Sequence, residues 1–310
     1  MPAPTAPSAR RLDPVAVRAA LRRLARAPQP PWLHAEVARR MAEKLALILH
    51  QPERVLDWWS CLGAGAGLLA QAYPKADLVR IEPDAAWAQR SRAQAQRPWW
   101  SAARWTGAQA EVVLDGDAIA AGAGLIWANM MLHAVVDPAA LIARWHGLLR
   151  VDGFVMFSCL GPGTLRELRT LYERQGWPAP TPGFVDMHDL GDMLVHAGFA
   201  DPVMDQETLR LRWSNPRALL AELLALGGNT APERIAGLRT PRWRARLERE
   251  LEALAAADGT LVLSFEVAYG HAFKAAPRVR PGETTTLSLD DMRAMVRASH
   301  GRPGGAKPLR

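Results

Sequence analysis

The 310-residue sequence contains little cysteine, no long apolar run and no phosphate-binding NTPase motif. Its two cysteines, Cys61 and Cys159, lie in apolar surroundings, so we expect neither a disulfide framework nor a zinc or other metal site. No stretch approaches about 18 uncharged apolar residues, which argues against a membrane-spanning helix. The first residues, MPAPTAPSARRLDP, lack the apolar segment of a secretory signal. We therefore expect a reduced, cytoplasmic protein without a membrane partner.

The net charge of +7 is distributed unevenly along the chain. Residues 1–50 hold nine Lys or Arg against three acidic residues, and residues 275–310 hold seven against three, so the segment between them is net acidic, at −3. A basic total with an acidic centre is not the pattern of a nucleic-acid-binding fold, and we expect no nucleic-acid partner. Basic termini favour solubility or steer an acidic partner toward a nearby site.

Short strands alternate with helices through the first half of the chain. Helices are predicted over residues 14–26 and 32–50, the second from apolar positions at helical spacing. The predicted strands cover residues 55–57, 78–82, 111–114, 125–129, 154–160, 203–213 and 260–273. This alternation indicates βαβ units, and right-handed crossovers make a doubly wound α/β sheet the expected fold. The last two strands are long enough to pair antiparallel at one sheet edge.

A glycine-containing loop follows the first predicted strand, and a carboxylate ends the second. The loop runs from Asp57 through Gly67, and Glu82 follows Asp57 by 25 residues. In a parallel sheet this is where a ligand binds, and a carboxylate at Glu82 suits vicinal ribose hydroxyls. Asp57 would repel a pyrophosphate, but it suits the amino group of S-adenosylmethionine. The alternative is a tight turn beside a surface acid.

Longer stretches of the sequence resemble a known enzyme family. VLDWWSCLGAGAGLLAQAYPKADLVRIEP is similar to the first two motifs of class I S-adenosylmethionine-dependent methyltransferases. LIWANMMLHAVVDPAALIARWHGLLRVDGFVMFSCLGPGTLRELR resembles, more specifically, the BioC family of malonyl-acyl-carrier-protein O-methyltransferases of biotin synthesis. Later stretches, FVDMHDLGDMLVHAGFADPVMD, NPRALLAELLALGGN and FEVAYGHAFK, extend the likeness to roughly residues 20–274.

The resemblance implies a seven-stranded, Rossmann-like methyltransferase sheet with a helical insertion before the last strand. It also implies S-adenosylmethionine as cofactor and the free carboxyl of malonyl-acyl-carrier protein, or a related acyl thioester, as the methyl acceptor. The expected organisation is a disordered tail over 1–14, a helical lid over 15–50, a methyltransferase domain over 51–274 with its insertion at about 214–258, and a basic disordered tail over 275–310.

Site residues are carried over from the family motifs position by position. Asp57 matches the acid ending the first strand and Glu82 the ribose-binding acid, while either Asp115 or Asp117 lies near the adenine-contacting acid. The residues expected to bind cofactor are Asp57, Trp59, Ser60, Gly63, Gly65, Glu82, Asp117, Asn129 and Met130, and those expected to contact substrate are His34 and Arg217. No catalytic acid or base is expected, because the accepting carboxylate is already ionised near neutral pH.

Three positions depart from the family pattern. Trp59 and Cys61 occupy the first two glycine positions of its Asp-x-Gly-x-Gly-x-Gly loop, where close backbone approach is needed. Leu224 replaces a basic residue that could pair with the malonyl carboxylate, with Arg210, Arg212 or Arg217 as possible replacements. Either the loop is reshaped around Gly65 and Gly67, or the protein does not bind the cofactor. The alternative function is a catalytically degenerate paralogue that binds or regulates a partner.

Overall fold

A computed structural model describes residues 12–95, 111–235, 237 and 239–276. The expectations about the two tails therefore fall almost wholly outside the described residues. Among the residues that are described, no helix has both the length and the apolar character needed to cross a bilayer.

Seven strands form one sheet in the order β3-β2-β1-β4-β5-β7-β6. The strands are β1 Arg54–Trp58, β2 Asp77–Glu82, β3 Glu111–Leu114, β4 Ala123–Ala128, β5 Leu149–Leu160, β6 Ala200–Trp213 and β7 Leu261–Phe273. Strands β1 to β5 pair in parallel, and β7 pairs antiparallel with both β5 and β6. This arrangement confirms the predicted doubly wound α/β sheet and its antiparallel edge.

The helices of the described chain cover both faces of the sheet. They are α1 Pro14–Arg26, α2 Trp32–Leu45, α3 Ser60–Gly63, α4 Ala66–Ala72, α5 Ala85–Ala95, α6 Pro138–Leu148, α7 Arg166–Arg174, α8 Met187–His196, α9 Pro216–Ala225 and α10 Pro241–Glu252. Helices α9 and α10 lie between β6 and β7, so the helical insertion before the last strand is confirmed.

Capping residues set several of the helix starts. In four helices a side-chain oxygen accepts a backbone N–H of the first turn, and proline follows directly. Proline suits this position because its missing N–H has no partner there and its φ is already helical. The pairs are Asp13-Pro14, Asp137-Pro138, Asn215-Pro216 and Thr240-Pro241.

Alternating side chains of the central strands enter two hydrophobic clusters, one on each face. In β4, Ile126 joins one cluster, whereas Leu125 and Trp127 join the other. In β1, Leu56 and Val55 divide in the same way. Because both faces of the sheet are packed, the polar residues at the ends of these strands are also shielded from solvent. The candidate site forms at the carboxyl ends of the strands.

Candidate functional site

Two buried carboxylates end the neighbouring strands β1 and β2. Asp57 Oδ2 accepts a hydrogen bond from Ser60 Oγ at 2.5 Å, and Glu82 Oε1 accepts one from the Cys61 N–H at 2.9 Å. Both residues are fully buried. Their other oxygens, Asp57 Oδ1 and Glu82 Oε2, accept no hydrogen bond of normal geometry from a described residue. Buried carboxylate oxygens are normally paired, so these two are free to receive donors from a ligand.

Burial shifts the ionisation of both acids. It raises the pKa of Asp57 to about 7, against the lowering effects of the Ser60 hydrogen bond and the Arg80 charge. Burial likewise raises the pKa of Glu82 to about 8, with the neighbouring Ser91 hydroxyl and the hydrogen bond from the Cys61 N–H acting the other way. Donors from a cationic or hydroxyl-bearing ligand would favour the ionised forms and lower both pKa values.

Two residues of the loop after β1 have the left-handed backbone conformation that glycine adopts readily, although neither of them is glycine. Trp59 has φ 52° and ψ 49°, and Ala64 has φ 55°. This left-handed region disfavours a residue with a Cβ by roughly 1–2 kcal/mol. Residues between them form the short helix α3 rather than the predicted open loop. Trp59 therefore has a backbone conformation that glycine adopts readily, and its indole is volume that a glycine would lack.

The Trp59 indole is buried and turned toward the end of β3. Its Nε1 donates to Asp115 Oδ2 at 3.2 Å, and Arg144 Nη1 donates to Asp115 Oδ1 at 2.7 Å. Asp117, the acid chosen from the sequence, is exposed, and its Oδ2 accepts the Leu114 N–H at 3.0 Å. Of these two acids, the one beside the loop is Asp115. It directly follows the last residue of β3, a signal that could have selected it.

Two of the predicted glycines have local packing roles. A Cβ on Gly65 would overlap the indole nitrogen of buried Trp127, so Gly65 is needed for packing against β4. The Gly63 carbonyl accepts a hydrogen bond from Asn129 Nδ2 at 2.7 Å. Gly67, by contrast, has open space where a Cβ would lie.

Asn129 joins the loop to α2 and β5. Its Nδ2 also donates to the His34 carbonyl at 2.8 Å, and its Oδ1 accepts from Ser158 Oγ at 2.7 Å. The Met130 N–H donates to the Ser158 carbonyl at 3.0 Å, and Met130 has φ 52°. The amide predicted to line the methyl-donor side is thus engaged with protein groups.

His34 lies on the inner side of the first turn of α2. It is buried, with Nδ1 3.1 Å from the Leu62 carbonyl. Burial lowers its pKa to about 4, against the effect of this hydrogen bond, so the imidazole is neutral near pH 7. The Leu62 carbonyl can only accept, which makes Nδ1 the protonated nitrogen.

Helix α1 packs against the same region and is fastened at both ends. Its apolar side joins the hydrophobic cluster that contains Trp59 and Cys61. At its start, Asp13 is 2.6 Å from Arg234 of the insertion. At its end, Arg90 of α5 donates to the carbonyls of residues 27 and 28 at 2.6 and 2.9 Å. Helix α1 therefore packs on the same hydrophobic cluster as the loop and is held at both of its ends.

The predicted substrate contact Arg217 is not brought to the buried site by any described interaction. It is 79% exposed, and its Nε is 3.5 Å from Glu248. Arg212 pairs with Asp258 at 2.8 Å. Arg210 forms no ion pair with a described residue and lines a groove of about 430 Å³ between α2 and β6. The other lining residues are Trp32, Glu36, Arg40, Thr208, Leu209 and Leu211.

The geometry thus brings together eight of the eleven predicted residues at the ends of β1, β2 and β4. They are His34, Asp57, Trp59, Ser60, Gly63, Glu82, Asn129 and Met130. Asp115, Arg144 and Ser158 belong to the same network and were not among the chosen residues. The hydrogen bonds that Arg144 and Ser158 make within this network join residues far apart in the sequence, so no local pattern predicts them.

Solved structures support the fold. The YcgJ protein from Bacillus subtilis superposes with a TM-score of 0.51 at 9% sequence identity, covering 77% of this chain and 99% of that one. At so low an identity the likeness concerns the fold alone. No protein-family model matches the sequence.

Curated relatives identify the family. A malonyl-acyl-carrier-protein O-methyltransferase from Gallionella capsiferriformans is 39% identical over 251 residues, which is 80% of this chain and 86% of the relative. Proteins of the same name from Laribacter hongkongensis and Nitrosospira multiformis are 38% and 34% identical over 85% and 81% of this chain, or 88% and 85% of their own lengths. The chain belongs to the malonyl-acyl-carrier-protein O-methyltransferase family.

Proposed function

We propose that this protein binds S-adenosylmethionine at the ends of β1 and β2 and methylates the free carboxyl of a malonyl thioester on an acyl carrier protein. The observation that carries the proposal is the pair of buried, unpartnered oxygens, Asp57 Oδ1 and Glu82 Oε2. A ligand that carries an ammonium group and ribose hydroxyls brings the donors that both oxygens lack. The hydrogen-bond acceptors of the site therefore match the donors of this cofactor.

Each side chain has a binding or positioning role in this proposal. Asp57 would accept the ammonium group and Glu82 a ribose hydroxyl, while Asn129 fixes the loop against α2. When bound, the cofactor supplies an electrophilic methyl group on a sulfonium. The accepting carboxylate is ionised near neutral pH, so the protein needs to align it and exclude water rather than remove a proton. No general base is required of His34.

On the substrate side, we assign the malonyl carboxylate to Arg210 rather than Arg217. Arg210 lines the groove beside α2 and has no described acidic partner, whereas Arg217 and Arg212 face Glu248 and Asp258. The pairing of β6 with β7 places Arg210 opposite Ser264, beyond the end of β5. It therefore lies at the same end of the sheet as the buried carboxylates.

An acidic carrier protein would dock on the outer face of α1. This face exposes Arg18, Arg22 and Arg26, none of which forms an ion pair with a described residue. Rows of unpaired cations raise the rate of encounter with an acidic partner and make it sensitive to salt. The product would be a malonyl ester, whose masked charge lets chain-elongating enzymes accept it for biotin synthesis.

The decisive experiment combines titration calorimetry with a methyl-transfer assay. We expect binding of S-adenosylmethionine and S-adenosylhomocysteine, and a mass increase of malonyl-acyl-carrier protein by one methyl group. Glu82→Gln should weaken cofactor binding by about 10–100-fold, because a charged hydrogen bond is worth roughly 1.5–3 kcal/mol. Glu167→Gln is the matched control, since Glu167 holds Ser264 at 2.6 Å beyond the end of β5.

The substrate assignments are tested separately. Arg210→Ala should raise KM for malonyl-acyl-carrier protein and leave cofactor affinity unchanged, whereas Arg212→Ala serves as the control from the same strand. Arg18→Glu with Arg22→Glu should reduce the salt dependence of kcat/KM. Equal KM values for the Arg210 and Arg212 variants would reject the assignment of the malonyl carboxylate to Arg210.

A degenerate paralogue is the second candidate function, and the indole of Trp59 favours it. The ring occupies space beside Glu82 and uses the Asp115 carboxylate. A folded protein that binds neither cofactor nor product at millimolar concentration would support this alternative and reject the enzyme.

A further inference from the structure

The hydrogen bond between Trp59 and Asp115 crosses an intervening strand. Trp59 follows β1 and Asp115 follows β3, and β2 lies between these strands in the sheet. Neighbouring strands are about 4.8 Å apart, so the bond connects strands separated by about 10 Å. The indole must therefore lie over the end of β2, which is Glu82.

The acceptor of this hydrogen bond is held in place independently of Trp59. Arg144 Nη1 donates to both the backbone carbonyl and Oδ1 of Asp115, at 2.6 and 2.7 Å. The Asp115 N–H donates to the Glu82 carbonyl at 2.8 Å. Asp115 Oδ2 thus stays at the end of β3 whether or not the indole is bound to it.

The residue that ends β2 carries an unsatisfied acceptor. Glu82 is fully buried, and its Oε2 accepts no hydrogen bond of normal geometry from a described residue. A ribose held at Glu82 would carry its base over the ends of β2 and β3. An aminopurine resembles indole in being planar and bicyclic with an N–H donor at its edge, and it would require the position that Trp59 fills.

We propose that Trp59 is a plug for the nucleobase subsite. In this structure the indole N–H donates to the Asp115 carboxylate that the amino group of a purine would use. Ligand binding therefore requires the indole to swing out, and Asp115 then selects a purine with an amino group over one with a carbonyl group. This inference rests on the proposed function, because it assumes an adenosine-containing ligand at Glu82.

The plug predicts that removing the indole strengthens binding. Trp59→Gly should bind S-adenosylhomocysteine at least tenfold more tightly than the wild type, as measured by calorimetry. Ala64→Gly is the matched control, because Ala64 also has a left-handed backbone and its replacement relieves similar strain without opening the subsite. We expect this control to change affinity less than twofold.

A spectroscopic measurement reports on the indole itself. In the wild type, saturating adenosine should shift tryptophan emission to longer wavelength, since one buried indole becomes exposed. Trp59→Phe should abolish this shift and bind adenosine more tightly, because its ring cannot donate to Asp115. Inosine should bind all variants more weakly than adenosine. The Phe variant also provides a test if the Gly variant does not fold.

The outcomes separate the plug from the proposed function. If the wild type binds S-adenosylhomocysteine and Trp59→Gly binds equally or less tightly, the plug is rejected while the enzyme remains. If only Trp59→Gly binds at millimolar ligand, the plug is supported and the proposed function of the wild type is rejected. If both folded proteins fail to bind at millimolar ligand, the plug and the proposed function are rejected together.

Discussion

Replacing Asn129 tests whether its three hydrogen bonds hold the candidate site together. Asn129→Ala removes bonds of 2.8, 2.7 and 2.7 Å to the His34 carbonyl, the Gly63 carbonyl and Ser158 Oγ. All three partners lie in buried residues, so each is left without its hydrogen bond to Asn129. An unsatisfied buried polar group destabilises by roughly 1–3 kcal/mol, which gives a total of about 3–9 kcal/mol for the three groups.

A loss of this size is large beside the roughly 5–15 kcal/mol that stabilises a typical folded domain. The free energy of unfolding should be measured by urea denaturation at pH 7, with the slope of the transition compared between variants. Ser158→Ala removes only one of the bonds to Asn129 and should destabilise by less. A double variant that loses less than the sum of the two single variants would show that the groups act as a unit.

The exchange of Asn129 for aspartate sharpens the same test. Asn129→Asp places an oxygen against the carbonyls of His34 and Gly63, so this variant should be less stable at pH 8 than at pH 5, where its carboxyl is more often protonated. A destabilisation by Asn129→Ala below about 1 kcal/mol would refute the reasoning, because it would mean that water replaces these bonds freely.

Three further predictions concern packing, pH and the lid. Gly65→Ala should destabilise by roughly 1–3 kcal/mol in urea denaturation, through overlap with Trp127, whereas Gly67→Ala should not. Burial raises the pKa of Glu82 to about 8, so between its unfolded value of 4.5 and pH 8 the folded state binds more protons, and the free energy of unfolding should fall as pH rises. Glu82→Gln should flatten that fall. Arg90→Ala should speed backbone hydrogen exchange in α1, because it removes the hydrogen bonds that Arg90 donates to four carbonyls in and just after the last turn of the helix.

Each of these predictions has its own contradicting result. Equal stability of the two glycine variants would mean that the Trp127 indole moves aside freely. An unchanged pH profile in Glu82→Gln would show that this carboxyl is ionised in the folded chain. Arg92→Ala is the control for the Arg90 variant, since Arg92 also lies on α5 but donates to the Val112 carbonyl at 3.3 Å. Equal rates of backbone hydrogen exchange in α1 of the Arg90 and Arg92 variants would show that Arg90 does not hold the end of this helix.

Local patterns were sufficient for most elements but not for every boundary. The helix predicted over residues 32–50 ends at Leu45, although Ile48, the last apolar position of its pattern, still packs against the hydrophobic cluster that contains Leu45. Periodicity identifies apolar positions that pack without telling where the helical backbone ends. The Asp13-Pro14 pair, in contrast, acts within one helical turn, and the first helix starts at Pro14 as predicted.

For the candidate site, the sequence predicted strand ends but not side-chain directions. Asp57 and Glu82 follow from the strand pattern, since parallel strands end at one edge. That the Trp59 indole crosses β2 depends on its side-chain rotamer and on Asp115, which lies 56 residues away. Gly65 was interpreted as a ligand contact, and its packing against Trp127 requires the neighbouring strand to be known.

The two fastenings of α1 couple parts of the chain that are far apart in the sequence. The start of the helix is bound to the insertion through Asp13 and Arg234, and its end is bound to α5 through Arg90. The insertion also includes Arg217, which was expected to contact substrate, and Leu224, which replaces the basic residue of the family pattern. Helix α1 therefore links the insertion to α5, so a displacement of the insertion would be transmitted through α1 to the helix that packs on β2 and β3.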